Sequence, residues 1–166
     1  KKLLLTLFIL AGLAQAANSQ NSLHEYQNLK FDSEKEKSIW NTGNEDPFQL
    51  FRAVQADLPS PENAWASLVE ELDSKASKTG DELNFLRQIF QKTHQKLLKK
   101  YELHSSFNSM LSEGRFDCVS GSAALGLLLQ RYGYTYDITE TDYHVFIVVD
   151  LDGKKVVLES TLPIGG

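Results

Sequence analysis

The sequence predicts an α+β fold in which several helices come first and an antiparallel sheet comes last. Apolar residues recur at helical spacing from Pro47 to about Tyr132, with polar breaks between the helices. After Gly133 the apolar period changes to two, and Asp152-Gly153 is a hairpin turn signal between two β-rich runs. Runs of helices followed by runs of strands are typical of α+β domains.

The predicted elements follow one another along the chain between recognisable start and stop signals. Four helices are expected: 48–58, ended by Pro59; one beginning at Ser60-Pro61-Glu62 and continuing to about Leu72; 82–101, capped by Asp81; and 118–132, after a turn around Gly114. Three strands are expected: 134–138, 143–149 and 155–160.

Residues 1–16 have the pattern of a secretory signal peptide. Lys1 and Lys2 precede the apolar run 3–13, and Ala14-Gln15-Ala16 is a small-x-small cleavage site. Because the apolar run is too short to span a bilayer, we expect an exported protein, periplasmic or extracellular, without a membrane anchor after cleavage. The sequence contains no Asn-x-Ser/Thr sequon, which favours a bacterial source.

Composition describes the remaining chain as an ordinary globular protein with an acidic balance. Apolar residues make up 42% and charged residues 23% of the sequence. The formal net charge of −5 would become −7 on loss of the two N-terminal lysines, which argues against nucleic acid as a partner. Residues 17–46 are polar and without a sustained period, so we expect a flexible segment there and one domain over 47–166.

Cys118 is the only cysteine of the chain, and exported proteins that use disulfides usually have an even number. Asp117 is a good N-cap, so Cys118 is expected in the first turn of its helix, where unpaired N–H groups and the helix dipole stabilise a thiolate. Small side chains over 119–124 would let this helix lie close to a sheet. A buried, inert cysteine at a tightly packed helix start explains the same residues.

The predicted hairpin relates His144 to Glu159. If Asp152-Gly153 forms the two central residues of the turn, paired positions add up to 305, and Glu159 shares a face of the sheet with His144. Diagonal neighbours of this kind are about 7–8 Å apart and within side-chain reach. A carboxylate beside an imidazole holds its tautomer while the other nitrogen meets the thiol. Cys118, His144 and Glu159 are therefore the predicted nucleophile, base and orienting residue of a catalytic triad.

The stretch from Gly114 to Pro163 resembles the transglutaminase-like core, a papain-type fold, in its bacterial exported versions. Its recognisable pieces are Asp117-Cys118 before a small-residue helix, Tyr143-His144-Val145, and Glu159-Ser160-Thr161 where the family usually has Asp-x-Thr. The family order of nucleophile, base and orienting acid implies the same three roles as above, with Glu in place of Asp. Such cores generally continue with further strands, so the resemblance implies that the chain is truncated after Gly166.

A weaker similarity connects the chain to exported cell-wall endopeptidases that carry an Asp-Cys-Ser-Gly motif. Val119 interrupts that motif here, and an acidic residue follows the histidine where those enzymes usually differ. This similarity implies the same broad chemistry, a cysteine peptidase, and adds no residue to the predicted site.

The expected function is a thiol enzyme that cleaves or transfers at an amide or peptide bond through a thioester. We favour hydrolysis over amine transfer, because amine-binding features are not visible. The backbone N–H of Cys118 is one expected oxyanion donor, and His94, Gln95 and Asn108 are weak candidates for the second. His94 falls on the apolar stripe of its helix, where a structural role is more common.

A different class of function fits the same fold, namely a non-catalytic exported binding domain, although a binding domain has no need of a free thiol. Metal binding and cofactors are not predicted, because the cysteine and the histidines show no ligand spacing. The four histidines are His24, His94, His104 and His144.

Overall fold

The computed structural model describes residues 29–43, 46–77 and 80–162. The predicted signal peptide, residues 1–16, and residues 17–28 of the predicted flexible segment lie outside this part. Contacts divide the chain into the units Lys1–Phe31 and Asp32–Gly166. Every helix and strand described below belongs to the second unit.

The second unit combines helices with two small sheets, which confirms the predicted mixed helical and β-sheet composition. The helices are α1 (Glu34–Thr42), α2 (Pro47–Ala53), α3 (Asn63–Ala76), α4 (Glu82–Lys96), α5 (Phe107–Glu113) and α6 (Cys118–Arg131). The strands are β1 (Lys100–Tyr101), β2 (Arg115–Phe116), β3 (Thr135–Glu140), β4 (Val145–Leu151) and β5 (Lys154–Leu158). The strands β3, β4 and β5 form an antiparallel sheet in that order, and β1 pairs with β2 in parallel.

The hairpin between β4 and β5 has the predicted turn and the predicted register. Asp152 and Gly153 both have positive φ angles, 50° and 84°, as a type I′ turn requires. The pairs Leu151↔Lys154 and Ile147↔Leu158 both match the register predicted from the sequence. The carboxylate of Asp150 accepts hydrogen bonds from the Gly153 N–H and from the ammonium of Lys155, which fixes the start of the turn.

Helix α6 is the centre of the fold. It contacts β3 and β4 on one side and α2, α4 and α5 on the others. Its apolar residues, Leu125, Leu128 and Leu129, are fully buried, as are Ile147 and Val149 on β4. Because burial of one such side chain contributes about 1.5–3 kcal/mol, this helix–sheet interface is a main source of stability.

Helix α1 was not predicted, since it falls in the polar segment expected to be flexible. Ser33 caps it by accepting a hydrogen bond from the N–H of Glu36, and the N–H of Gly43 ends it by donating to Ile39. It packs against α2, so tertiary contact stabilises a helix whose own apolar pattern is weak.

The prediction that one helix extends over 48–58 was wrong, because α2 ends at Ala53. The side-chain amide of the buried Asn108 donates to the carbonyl oxygens of Arg52, Val54 and Gln55 at 3.0, 2.9 and 3.1 Å. Gln55 itself has a left-handed φ of 54°. Asn108, which is 53 or more positions away along the chain, thus binds the carbonyl groups at the end of this helix.

The expected N-cap of α3, Ser60, was also wrong. The helix starts at Asn63, and Glu62 precedes it without a side-chain cap. Both Ser60 and Glu62 instead contact the guanidinium group of Arg52 on α2. The side chains that were expected to cap α3 therefore hold α2 against the start of α3.

Helix α4 begins at the predicted cap, Asp81, but ends at Lys96 rather than near residue 101. The N–H groups of Lys99 and Lys100 donate to the carbonyl oxygen of Gly114, which draws this segment into the parallel pair β1–β2. The turn predicted around Gly114 is present, with φ of 73°, as the end of the unpredicted helix α5.

At Gly121, α6 lies close to Ser160, in the chain that follows β5. A Cβ atom built at this position would lie 2.8 Å from both Cβ and Oγ of Ser160 and 3.2 Å from the ring of Phe116. Ser160 is fully buried. A methyl group at position 121 therefore requires Ser160 or α6 to shift.

We predict that Gly121→Ala destabilises the fold, whereas Gly126→Ala on the same helix does not. A Cβ at Gly126 would meet Tyr136 at 3.6 Å, an ordinary contact, so the gain in helix propensity, up to about 1 kcal/mol, should remain. At Gly121 overpacking should lower the free energy of unfolding by about 1–3 kcal/mol. Urea denaturation measures both values. Adding Ser160→Gly should recover part of the loss, and equal stability of the two alanine variants would contradict the assigned contact.

Candidate active site

Cys118 is the first residue of α6, as the sequence predicts. Asp117 caps the helix: its carboxylate accepts from the N–H of Ser120 at 2.8 Å, and the Ser120 hydroxyl accepts from the N–H of Asp117 at 2.9 Å. Cys118 is half-buried and forms no disulfide. Within the described residues this capping box leaves the N–H groups of Cys118 and Val119 as the donors of the first turn that have no acceptor.

The face of α6 that carries Cys118 is turned toward the start of β4. Ser122, one helical turn after Cys118 and on the same face, donates from its hydroxyl to the carbonyl oxygen of Val145 at 3.3 Å. Val145 directly follows His144. The structure thus brings the Cys118 end of the helix close to the strand that His144 precedes.

His144 stands in the loop between β3 and β4, held by its backbone and by its ring. Its carbonyl oxygen accepts from the N–H and the hydroxyl of Thr141, at 2.8 and 3.2 Å. Its ring stacks on Phe146, with centroids 6.3 Å apart. Nε2 is hydrogen-bonded to Oε2 of Glu159. Because Glu159 occupies Nε2 as an acceptor, the neutral ring keeps its lone pair on Nδ1.

Glu159 directly follows β5 and uses both of its carboxylate oxygens. Oε2 contacts His144, and Oε1 accepts from the N–H of Thr161 at 3.0 Å and from its hydroxyl at 2.8 Å. Burial alone would raise the pKa of Glu159, but the hydrogen bonds from His144 and Thr161 outweigh it and hold the pKa below its ordinary value. The carboxylate is therefore kept ionised beside the imidazole.

The residues suggested for a second oxyanion donor are engaged elsewhere or exposed. The side-chain N–H groups of Asn108 serve the end of α2, and both ring nitrogens of His94 face backbone carbonyl oxygens, those of Phe90 and Ser160. Gln95 is exposed on α4. The N–H of Val119, which the sequence did not single out, is the second donor that the first turn of α6 offers beside that of Cys118.

A cavity of about 260 Å³ adjoins the start of α6, with Asp117 and Val119 among its lining residues. It is mainly apolar, with Val54 and Ala123 also among its lining residues. Two other lining residues, Gln55 and His104, have left-handed φ angles of 54° and 63°. The sequence did not predict this cavity. Left-handed φ angles are usually marked by glycine, and positions 55 and 104 are not glycine.

Two further features of the described part of the chain concern metals and membranes. Among those residues, no group of three or more His, Cys, Asp or Glu side chains could hold a metal ion. No helix of that same part is both long and apolar enough to cross a membrane.

Comparisons of the chain with protein-family models, with curated proteins and with solved structures find no match.

We predict that Glu159 makes the stability of the protein depend on acidic pH. A carboxyl group whose pKa is lowered by folding stabilises the fold above its ordinary value of 4.5, and this contribution is lost as pH falls through the lowered pKa. The free energy of unfolding should therefore decrease below about pH 5. Glu159→Gln should be less stable at pH 7 and should show a smaller decrease between pH 7 and pH 3.5.

Urea denaturation at several pH values measures this dependence. The matched control is Glu140→Gln, which removes an exposed carboxylate at the end of β3. An unchanged decrease in Glu159→Gln, equal to that of the parent protein, would show that the contact with His144 and Thr161 does not stabilise the ionised carboxylate.

Proposed function

We propose that this chain is a thiol hydrolase that cleaves an amide or peptide bond, with Cys118 as nucleophile, His144 as general base and Glu159 as the residue that orients His144. The observation that carries the proposal is the hydrogen bond between Nε2 of His144 and Glu159. It leaves Nδ1 as the nitrogen available to a thiol, on the loop next to the strand that α6 contacts through Ser122 and Val145.

The chemistry begins with proton transfer from the thiol of Cys118 to Nδ1 of His144. The thiolate sulfur then attacks the carbonyl carbon, and the electron pair of the C=O bond moves to oxygen. As this intermediate collapses, the C–N bond breaks and the protonated His144 gives its proton to the leaving amine. The product of this half is a thioester on Cys118.

Water completes the reaction at the thioester. Nδ1 of His144 takes a proton from the water, whose oxygen attacks the thioester carbon. The C–S bond then breaks, the acid leaves, and the thiol is restored by the proton held on His144. Glu159 stays ionised throughout and stabilises the imidazolium, consistent with its lowered pKa. An amine in place of water would give transfer instead.

The negative charge that develops on the carbonyl oxygen needs donors close to the nucleophile. The N–H groups of Cys118 and Val119 supply two donors at the start of α6, where the helix dipole is also favourable. Backbone donors fixed by the capping box require no reorganisation during the reaction.

The proposal includes the fold family and the cellular location. The small-residue helix on an antiparallel sheet, together with the three sequence pieces around Cys118, His144 and Glu159, supports a transglutaminase-like, papain-type core. The replacement of the usual Asp by Glu is accommodated here, because the longer side chain reaches both His144 and Thr161. The N-terminal sequence pattern supports export, in the periplasm or outside the cell.

We predict that the reactivity of Cys118 toward iodoacetamide depends on His144. Because the chain has a single cysteine, one thiol is labelled. If His144 takes the proton of the thiol, His144→Ala should lower the alkylation rate at pH 6 by about tenfold or more, with little change at pH 9.5, because the thiolate is the reacting species. Asp142→Asn, an exposed change in the same loop, should leave both rates unchanged.

Turnover is tested with a panel of peptide, amide and amine-transfer substrates. Cys118→Ala should lower the rate on any active substrate by roughly 10³-fold or more. Turnover that persists undiminished in this variant would end the thiol-enzyme proposal. Alkylation rates that are the same in His144→Ala and the parent protein at pH 6 would favour a non-catalytic binding domain with an inert thiol.

A further inference from the structure

His94 is a buried histidine of α4 whose two ring nitrogens each face a backbone carbonyl oxygen. Nδ1 lies 2.9 Å from the carbonyl oxygen of Phe90, one turn earlier in the same helix. Nε2 lies 2.9 Å from the carbonyl oxygen of Ser160, 66 residues further along the chain. The residue is 8% exposed, and its ring also packs against the rings of Phe90 and Phe116. The first contact is local, whereas the second joins α4 to the loop that carries Glu159.

The second contact acts on a peptide group that already belongs to the candidate site. The carbonyl of Ser160 and the N–H of Thr161 are parts of one planar peptide unit. His94 binds the carbonyl end of this unit, and Oε1 of Glu159 accepts from the N–H end at 3.0 Å. Rotation of this unit would therefore break both hydrogen bonds together.

We propose that His94 is a positioning residue of the active site. By donating from Nε2 to the Ser160 carbonyl, it fixes the plane of the Ser160–Thr161 peptide and aims the Thr161 N–H at Glu159. The carboxylate of Glu159 is then held for His144. This inference rests on the proposed function and adds to it a residue that lies outside the triad and donates to none of its side chains.

The surroundings of Ser160 leave the orientation of the Ser160–Thr161 peptide dependent on its backbone hydrogen bonds. The Ser160 side chain is pressed against Gly121 of α6, and its hydroxyl is buried without a hydrogen-bond partner in the structure. The side chain therefore does not hold the loop by a polar contact of its own. The orientation of the peptide depends on its backbone partners, of which His94 is the one that comes from another element.

Two substitutions separate the donor of His94 from its bulk. Gln and Met are unbranched side chains of nearly equal length, and both place their terminal group as many bonds from Cα as Nε2 of histidine. His94→Gln keeps an N–H donor for the Ser160 carbonyl, whereas His94→Met puts a methyl group there and leaves the carbonyl unpaired. Both variants lose the original ring packing to a similar degree.

The measured quantity is the rate of Cys118 alkylation by iodoacetamide at pH 6 and at pH 9.5. We expect His94→Met to lower the rate at pH 6 by roughly tenfold to a hundredfold, because small displacements of catalytic groups have effects of that size. The rate at pH 9.5 should change less than twofold. We expect His94→Gln to restore most of the rate at pH 6. A merely structural role would change the stability of both variants alike without separating the two rates.

The outcomes distinguish this inference from the proposed function. Equal rates at pH 6 for His94→Met and the parent protein, with a lowered rate in His144→Ala, would overturn the role of His94 and leave the thiol enzyme intact. Equal rates for the parent protein and His144→Ala would overturn both. Should neither His94 variant fold, ¹⁵N NMR of the histidine-labelled parent protein decides. A protonated Nε2 on His94 supports the inference, and an unprotonated Nε2 at pH 7 overturns it.

Discussion

The close approach of α6 to the chain after β5 is the constraint on which the candidate site depends. A side chain at residue 121 would force α6 or Ser160 to shift, because its Cβ would lie 2.8 Å from Ser160. Protein interiors are packed nearly as densely as crystals, so a shift of this helix start moves whatever lies against it. Here that neighbour is the segment 159–161, which carries the carboxylate. One steric contact therefore sets the distance between the nucleophile helix and the acidic residue of the site.

Hydrogen bonds then fix the rotation of the Ser160–Thr161 peptide, which the steric contact does not restrict. Packing against Gly121 limits the position of the Ser160 side chain but not the rotation of the peptide that follows it. That rotation is limited by His94 at one end of the peptide and by Glu159 at the other. In the loop before β4, the N–H and the hydroxyl of Thr141 donate to the carbonyl oxygen of His144. The base and the carboxylate are thus each held by backbone contacts that are separate from the bond between them.

The features that the sequence predicted correctly are those determined by neighbouring residues. Asp117 followed three residues later by Ser120 is a complete capping box, so the position of Cys118 required no tertiary information. Asp152-Gly153 selects a type I′ turn, and the turn fixes the register of β4 and β5. That register predicted His144 and Glu159 as neighbours, and the structure brings them into contact although both lie just outside the paired strands. The functional roles of these residues remain proposals.

The features that the sequence could not predict depend on residues distant along the chain. Asn108 ends α2 from more than 50 residues away, although the apolar spacing of α2 continues past that point. Gly114 accepts the N–H groups that α4 would otherwise have used to continue. The same holds for His94: its place on an apolar stripe indicated burial, but only the fold reveals which carbonyl group its Nε2 meets.

The surroundings of Glu159 affect how a glutamate can serve at a position where the similar family usually has aspartate. Glutamate has one more rotatable bond than aspartate, and ordering it costs more conformational entropy. In this site one carboxylate satisfies two partners, Thr161 two residues ahead and His144 in the loop before β4. The bonds from Thr161 to Oε1 restrict this additional rotation. The Ser160–Thr161 peptide, held by His94, therefore also limits where Oε2, the oxygen that contacts His144, can lie.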